Sequence, residues 1–480
     1  MAPTLSLVNA NEMRPPVGPV ALDYLGAALQ AAGFEPRLLD LTWEADAEIA
    51  VRAYFCDHRP LLVGLTLRNS DDCYMAGQYS CVPHARETAA LIRRYTDAPL
   101  VLGGCGFSLF PTALLRELGA DYGIVGEGEQ ALCDLAAALL QSGSPAGLPG
   151  LVSRNGDTAH CSPPAFADLG AMRLSSRPLL DNGRYWREGG QGGFETKRGC
   201  DRRCVYCADP VAKGRRLRLR DPRDVADEVA TLAAQGVRHL HTCDAEFNVP
   251  REHALAVCAA LTVAGLGERV RWYAYCAPAH FDEELAAAMQ HAGCVGANFG
   301  ADHGVDEQLA RLGRDHRVAD LERVAGVCRR RGLIVMYDLL FGAPGDTREG
   351  VRATLELMQR LRPDRVGISV GVRIYPGTPL AAQVIRGPLT EQPGLAGELE
   401  DNENLLQPVF YLAPEVGPDL PALIGDVVRG DPRFLCPDPA ADLTDYNYRE
   451  NTVLQNAIAA GHRGAYWDIL RRLQDGLPPA

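Results

Sequence analysis

The stretch KRGCDRRCVYCADP, residues 197–210, places three residues between Cys200 and Cys204 and two between Cys204 and Cys207, and no fourth cysteine follows at comparable spacing. Three thiolates can hold three irons of a four-iron cluster and leave the fourth iron open. A cluster saturated by four cysteines carries electrons, whereas an open iron can also bind a small molecule. The competing readings are a zinc site, which wants a fourth ligand nearby, and chance spacing among fifteen cysteines.

Working outward, six strand-like runs lie between residue 194 and about 375: GFETKR, VRHLHTC, VRWYAY, VGANFG, LIVMYDLL and RVGISVGVRIY. Helical sequence follows each but the last. In the first helix Asp221 is the cap and Pro222 opens the first turn; Val225, Val229 and Leu232 share a face, and Gly236 closes it. Six such units predict a partial barrel, with the cysteine loop after its first strand, at the end where complete barrels place their chemistry.

Residues 1–155 alternate β-rich runs (LSLVN, PRLLDL, LLVGLTL, PLVLGG, YGIVG) with amphipathic stretches, which predicts a doubly wound parallel sheet. Ligands in such sheets sit at the loops leaving the carboxyl ends of the strands. The loops there are Arg68-Asn69-Ser70-Asp71-Asp72, Gly103-Gly104-Cys105-Gly106-Phe107-Ser108 and Gly126-Glu127-Gly128-Glu129. Their glycines would let backbone approach a ligand closely, or serve only tight turns. Residues 156–190 carry Pro163, Pro164 and Pro178 without periodicity and read as a linker. The barrel is assigned to 191–385. Residues 386–480 read as a small, mostly helical cap, closing the barrel mouth or packing on its flank, with Tyr446, Asn447, Tyr448, Arg449, Glu450 and Asn451 crowded into one turn.

The cysteine spacing, with Tyr206 before the last cysteine, resembles the radical AdoMet superfamily. That resemblance implies a (β/α)6 barrel whose open iron chelates S-adenosylmethionine. It further implies AdoMet contacts at strand ends: Glu246 or Asp244 for the amino group, and Tyr275, Asn298, Asp302, Arg314 and Asp338 around the remainder. Arg314 is equally read as a salt-bridge partner. The N-terminal loops, together with Pro16, Gly18 and Pro19, resemble the cobalamin-binding domain that precedes many such barrels. No Asp-x-His-x-x-Gly string occurs in residues 1–155, and neither His58 nor His84 has that context, so cobalamin is expected without a histidine ligand below the cobalt.

The whole chain is similar to the class B radical AdoMet methyltransferases, in which one AdoMet methylates cobalamin and a second yields the radical that activates an unactivated substrate carbon. The resemblance implies a four-iron cluster, AdoMet and cobalamin as cofactors, a small-molecule or peptide natural-product intermediate as substrate, and an electron donor such as flavodoxin or ferredoxin. Rival readings are a cobalamin-dependent cyclase or ring-rearranging oxidase, a methylthiotransferase with a second cluster on Cys56, Cys73 and Cys81, and a cobalamin-sensing module.

Composition narrows the rest. A net charge of −13 argues against nucleic acid as the partner, with the run Lys213 to Arg220 as a local exception. The start MAPTLSLVNANEMRPP lacks a basic, apolar leader, and nowhere do about twenty apolar residues run uninterrupted. A cytoplasmic protein with no membrane partner is expected. An odd count of scattered cysteines, with Cys258 and Cys328 in apolar stretches, does not describe a disulfide framework.

Overall fold

The apolar runs of the N-terminal part become five parallel strands: β1 (Thr4–Asn9), β2 (Glu35–Asp40), β3 (Leu62–Thr66), β4 (Leu100–Gly103) and β5 (Tyr122–Ile124). A computed structural model describes residues 2–155, 158–170, 172–435 and 450–479. The strand order β2-β1-β3-β4-β5 has apolar helix faces packed on both sides, which is why Leu62, Val63 and Leu100 are almost wholly buried. The order reverses between β1 and β3, so the loops leaving those strands diverge and open a crevice. Two antiparallel strands, β6 (Leu151–Asn155) and β7 (Thr158–Cys161), extend the sheet beyond β5. The sheet therefore continues into the stretch read as a linker.

The second unit is built on β8 (Gly192–Phe194), β9 (Lys197–Arg198), β10 (Arg218–Leu219), β11 (His239–Thr242), β12 (Arg271–Cys276), β13 (Cys294–Asp302), β14 (Ile334–Phe341) and β15 (Arg365–Val370). Strands β8, β11, β12, β13, β14 and β15 pair in that order, all parallel, giving the six-stranded partial barrel. The run GFETKR splits, because β9 leaves the barrel to pair antiparallel with β10 and close the base of the cysteine loop. Asp221 caps the first helix as its sequence indicates, accepting from Arg223 N at 2.9 Å.

The sixth run also divides. After β15 the chain enters β16 (Val372–Arg373), which joins β17 (Leu395–Gly397) and β18 (Val409–Tyr411) in a small antiparallel sheet. Val372, Ile374, Leu380, Leu405 and Val409 pack into the same core as Val8, Leu65 and Leu102 of the N-terminal sheet. The sequence boundary at 385 therefore does not coincide with a break in packing. A further short strand, β19 (Phe434–Leu435), adds to β15 in parallel.

Three α-helices are described within residues 386–480: Leu420–Val428, Thr452–Ala459 and Tyr466–Gln474. Trp467 packs against Tyr273, Val295, Ile334 and Met336, residues in the first halves of β12, β13 and β14. A Cβ placed on Gly296 would lie 2.9 Å from its indole. The last of these helices thus plugs the end of the barrel opposite the cysteine loop, while Leu420, Ile424 and Val427 of the first pack on the barrel's flank. Of the polar and aromatic turn, Tyr446 to Arg449 lie outside the described residues, while Asn451 N donates to Arg14 O at 2.8 Å.

What fixes one unit against the other is a buried charge network. Arg177, only 1% exposed, donates through Nε to Asp23 Oδ2, through Nη1 to Glu228 Oε1 and Gly193 O, and through Nη2 to Asn182 Oδ1, each at 2.8 Å. Asp23 lies on the first N-terminal helix, Arg177 and Asn182 in the connector, and Glu228 on the first barrel helix. Tyr24 donates to Glu228 at 2.8 Å, and Arg220 pairs with both Glu228 and Asp224. Removing one member leaves the others buried without compensation, a loss of about 3–5 kcal/mol. Arg177→Met is expected to lower the thermal midpoint and to speed trypsin cleavage in the connector; wild-type values for both would contradict this.

Candidate functional site

At the C-terminal ends of the barrel strands a cavity of about 160 Å³ is lined by Cys200, Cys204 and Cys207 together with Tyr206, Glu246, Tyr275, Arg314 and Asp338. The cysteine loop is held there by backbone hydrogen bonds from Val205 N to Leu312 O at 3.0 Å and from Leu380 N to Val205 O at 2.9 Å. Gly313 makes the first contact possible, since a Cβ there would stand 2.3 Å from Arg203 O at a φ of +74°. Among the described residues no His, Cys, Asp or Glu group is arranged to hold a single metal ion. Three thiols around one cavity, without that close convergence, suit a cluster that offers each a different iron.

The thiols are protonated in the cofactor-free chain. Burial pushes Cys200 up to about 11 and Cys207 up to about 12. Cys204 is also raised by burial, but the Arg314 guanidinium, donating through Nη1 to Sγ at 3.0 Å, pulls the other way. Ligation to iron must therefore displace a proton from each.

Arg314 organises the polar wall. Its Nη2 donates to Gly300 O at 2.7 Å, and it lies within 3.5 Å of Glu246 and 3.4 Å of Asp302. Asp302 has a φ of +56° at a register shift in β13, a bulge that turns its carboxylate toward Arg314 and toward Tyr206, whose hydroxyl donates to it at 2.6 Å. Asn298 donates to Asp338 Oδ2 at 2.7 Å. Burial lifts Asp338 to about 6, against the Asn298 hydrogen bond and with help from Asp302.

Two polar atoms of this wall, Glu246 Oε2 and Asn298 Oδ1, are buried without a partner. Unmatched acceptors beside a guanidinium fit the ammonium and carboxylate of AdoMet. Asp244 is placed otherwise: it accepts from Thr196 N at 2.9 Å, Thr196 Oγ1 at 2.6 Å and Lys197 N at 3.2 Å, so it braces β9 and does not line the cavity. Arg202, Asp209 and Cys276 also line the cavity and were not singled out by sequence. The first two were within reach of the motif itself.

The N-terminal loops sort in the same way. Arg68, Asn69 and Cys105 are exposed, Gly103 has open space where a Cβ would stand, and all lie at the ends of β3 and β4. Arg68 acts electrostatically on Cys243 and Tyr275 of the barrel, so the crevice of the first sheet faces the barrel mouth. The remaining side chains are committed. Ser70 donates to Asp71, Asp71 pairs with Arg373 at 2.9 Å, and Phe107 is fully buried with its ring 2.1 Å from a Cβ built on Gly123. Ser108 Oγ donates to Gly104 O and accepts from Gly126 N, each at 3.0 Å.

In the Gly126–Glu129 turn, Glu127 pairs with Arg218 and Glu129 with Arg198 at 2.6 Å, while a Cβ on Gly128 would meet Leu25 at 2.9 Å. These carboxylates tie the first unit to the base of the cysteine loop. His58 bonds to Arg37 and Tyr54, and His84 to Ala10 and Glu12 in the loop leaving β1. Open backbone at Gly103 and a crevice facing the barrel mouth fit a large planar cofactor. The trio Cys56, Cys73 and Cys81 forms no metal-holding group, and Cys73 Sγ is 2.9 Å from the Tyr375 hydroxyl.

Residues 194–358 match the radical SAM superfamily and residues 7–136 the B12 binding domain. The chain is 36% identical over 441 residues, 79% of its length and 74% of the relative's, to tryptophan 2-C-methyltransferase of Streptomyces laurentii. The structure of the radical S-adenosylmethionine methyltransferase TsrM from Kitasatospora setae, with tryptophan substrate and a SAM analog bound, superimposes with a TM-score of 0.93 at 33% identity, covering 99% of this chain and 98% of that one. A second structure of TsrM contains cobalamin and a [4Fe-4S] cluster. OxsB, a cobalamin-dependent S-adenosylmethionine radical enzyme, shares the fold at a TM-score of 0.70 and 15% identity, over 86% of this chain and 64% of that one.

Barrel, crevice and these likenesses together define the class: the chain belongs to the cobalamin-dependent radical S-adenosylmethionine methyltransferases. Its cofactors are the four-iron cluster, AdoMet and cobalamin. No helix among the described residues is long and apolar enough to cross a membrane.

In the cofactor-free chain the three loop thiols should differ in reactivity, because alkylation follows the thiolate fraction. Iodoacetamide at about pH 8 is expected to label Cys204 ahead of Cys200 and Cys207, and Arg314→Met to remove that lead. Peptide mass mapping reads the order; equal rates in the wild-type chain would refute the role given to the guanidinium.

Proposed function

We propose that the protein methylates a ring carbon of tryptophan or a close indole relative, with Cys200, Cys204 and Cys207 holding the cluster and Glu246, Arg314, Asn298 and Asp302 orienting AdoMet. The observation that carries this reading is the likeness, over nearly the whole chain, to a tryptophan methyltransferase. The mouth supports it chemically. Tyr275, 46% exposed, presents its ring between the two units, with His241 4.7 Å away. Such an aromatic wall suits a flat heterocycle.

When bound, the cofactors supply the methyl group, its carrier and the electron. The chain supplies position. Arg68, Asn69, Gly103 and Cys105 would hold cobalamin, and the ends of β12 to β14 would meet the substrate. Asp338 is placed to accept the proton lost from the ring, since its raised affinity for protons lies close to neutrality. The reducing equivalents are assigned to a flavodoxin or ferredoxin, for which the exposed Asp201 and Arg203 of the cysteine loop offer a short approach.

Anaerobically reconstituted enzyme, given tryptophan, AdoMet and reductant, should yield C-methyltryptophan and S-adenosylhomocysteine in equal amounts. Absence of methylated tryptophan from protein that turns over another substrate would overturn the substrate assignment. Cys204→Ala should lose both bound iron and product, and full iron with intact AdoMet turnover would overturn the ligand assignment.

The pH profile tests Asp338. As an acid with a raised value, it is a competent acceptor above about pH 6 and is protonated below. Turnover should therefore fall as pH drops through that value, and Asp338→Asn should be slower by roughly 10²–10⁴-fold with that acid limb gone. A variant that keeps the limb would assign it elsewhere.

A further inference from the structure

At the end of the barrel opposite the thiols lies a larger cavity, of about 370 Å³, whose walls include His239, Arg271, Tyr273, Ile334, Asp468 and Arg472. Its size alone does not make it the reaction site, because the three cysteines and the unmatched Glu246 line the cavity at the other end. Its charge is unbalanced. Asp468, 1% exposed, is already matched by the Tyr273 hydroxyl at 2.8 Å and by Arg471 Nε at 2.7 Å. That leaves the guanidinium groups of Arg271 and Arg472 without an acid among the cavity-lining residues.

The donors are spent only in part, with Arg472 Nη2 donating to Pro478 O and Arg271 Nη1 to Gly267 O at 3.4 Å. Arg472 Nε is buried with no hydrogen-bond partner, and so is Nε1 of Trp467, its helix neighbour. His239 is 93% buried by its 7% exposure, and its Nδ1 accepts from Trp186 Nε1 at 3.4 Å. That bond leaves Nε2 as the protonated nitrogen of a neutral ring, a donor on a cavity-lining side chain. The positive surroundings are consistent with this: burial first, and then Arg463, Arg472 and Arg271 against Asp468, push His239 down to about 4. Tyr273, Val295, Leu333 and Ile334 make the apolar part of the wall, and Gln290 adds one amide to it.

We propose that this cavity is a second ligand site, taking a small organic oxyanion whose charged group meets Arg271, Arg472 and His239 while its apolar body lies on the strand ends. A buried donor without a partner is costly and uncommon, and a ligand oxyanion in this cavity satisfies Arg472 Nε. The volume falls in the range of small-molecule pockets. It exceeds what an inorganic anion needs. The site is remote from the thiols, so its occupant is not consumed by the methylation. Tyr273 links the two ends, since the same strand carries Tyr275 to the mouth.

The test uses the full chain, reconstituted with cluster and cobalamin and saturated with AdoMet so that the mouth is filled. Phenyl phosphate and benzoate are titrated by calorimetry, with phenol and inorganic phosphate as probes of the separate parts. Saturable binding of phenyl phosphate or benzoate is expected, weaker by at least tenfold in Arg271→Gln and in Arg472→Gln, and unchanged in Arg202→Gln at the mouth. Should Arg472→Gln fail to fold, the exposed Arg271 carries the test. Binding of neither aromatic anion overturns the proposal, as does affinity unaltered in Arg271→Gln or lost in Arg202→Gln. Phenol binding as tightly as the anions would also overturn it, because the charge would then count for nothing.

Discussion

Arg177 and Arg220, sealed between Asp23, Asp224 and Glu228, set the geometry on which the chemistry depends. Two cofactors bound by two separately folded sheets react with one substrate only if the sheets hold a fixed distance and angle. An apolar interface would tolerate sliding, since burial is not directional. A network of hydrogen-bonded charges does not, because a small displacement strands an ion in a medium that cannot solvate it. The Arg198 and Arg218 pairs with Glu129 and Glu127 repeat the arrangement beside the cysteine loop, and Arg373 with Asp71 repeats it on the far side. The crevice is thus pinned at three places around its rim.

Within that frame the cavity at the mouth shows a division of labour. Cys204 carries the nearest cation, Glu246 an unpaired acceptor, and Asp338 a carboxyl tuned by burial toward neutrality. Each property follows from strand position. The bulge in β13 turns Asp302 inward, Asp302 holds Tyr206, and Tyr206 belongs to the cysteine motif, so the wall and the loop are one hydrogen-bonded piece.

The cysteine motif and the parallel architecture were legible because both depend on local spacing: two or three residues between thiols, and a switch from period two to period 3.6. What escaped depends on contacts between distant segments. Asp244 and Glu246 stand two residues apart in the loop after β11 and read alike, until Thr196, from the link between β8 and β9, claims the first. Glu127 and Glu129 look like ligand-facing residues in a glycine-rich turn, and nothing nearby in sequence announces Arg198 or Arg218 as their partners. The connector between the sheets resembles a linker because its one decisive side chain, Arg177, stands alone without periodicity. Trp467 gave no sign of its destination either, since an amphipathic helix does not reveal which surface it will cover.

That tryptophan has a consequence for biosynthesis. The strands it seals, β12 to β14, leave the ribosome long before residue 467 does, and until the later helix arrives the barrel stands open at its base, with Tyr273, Val295 and Met336 wet. An open base admits solvent beneath the thiols. Closure of the barrel's base therefore waits for this helix, and loading of the cluster belongs after it.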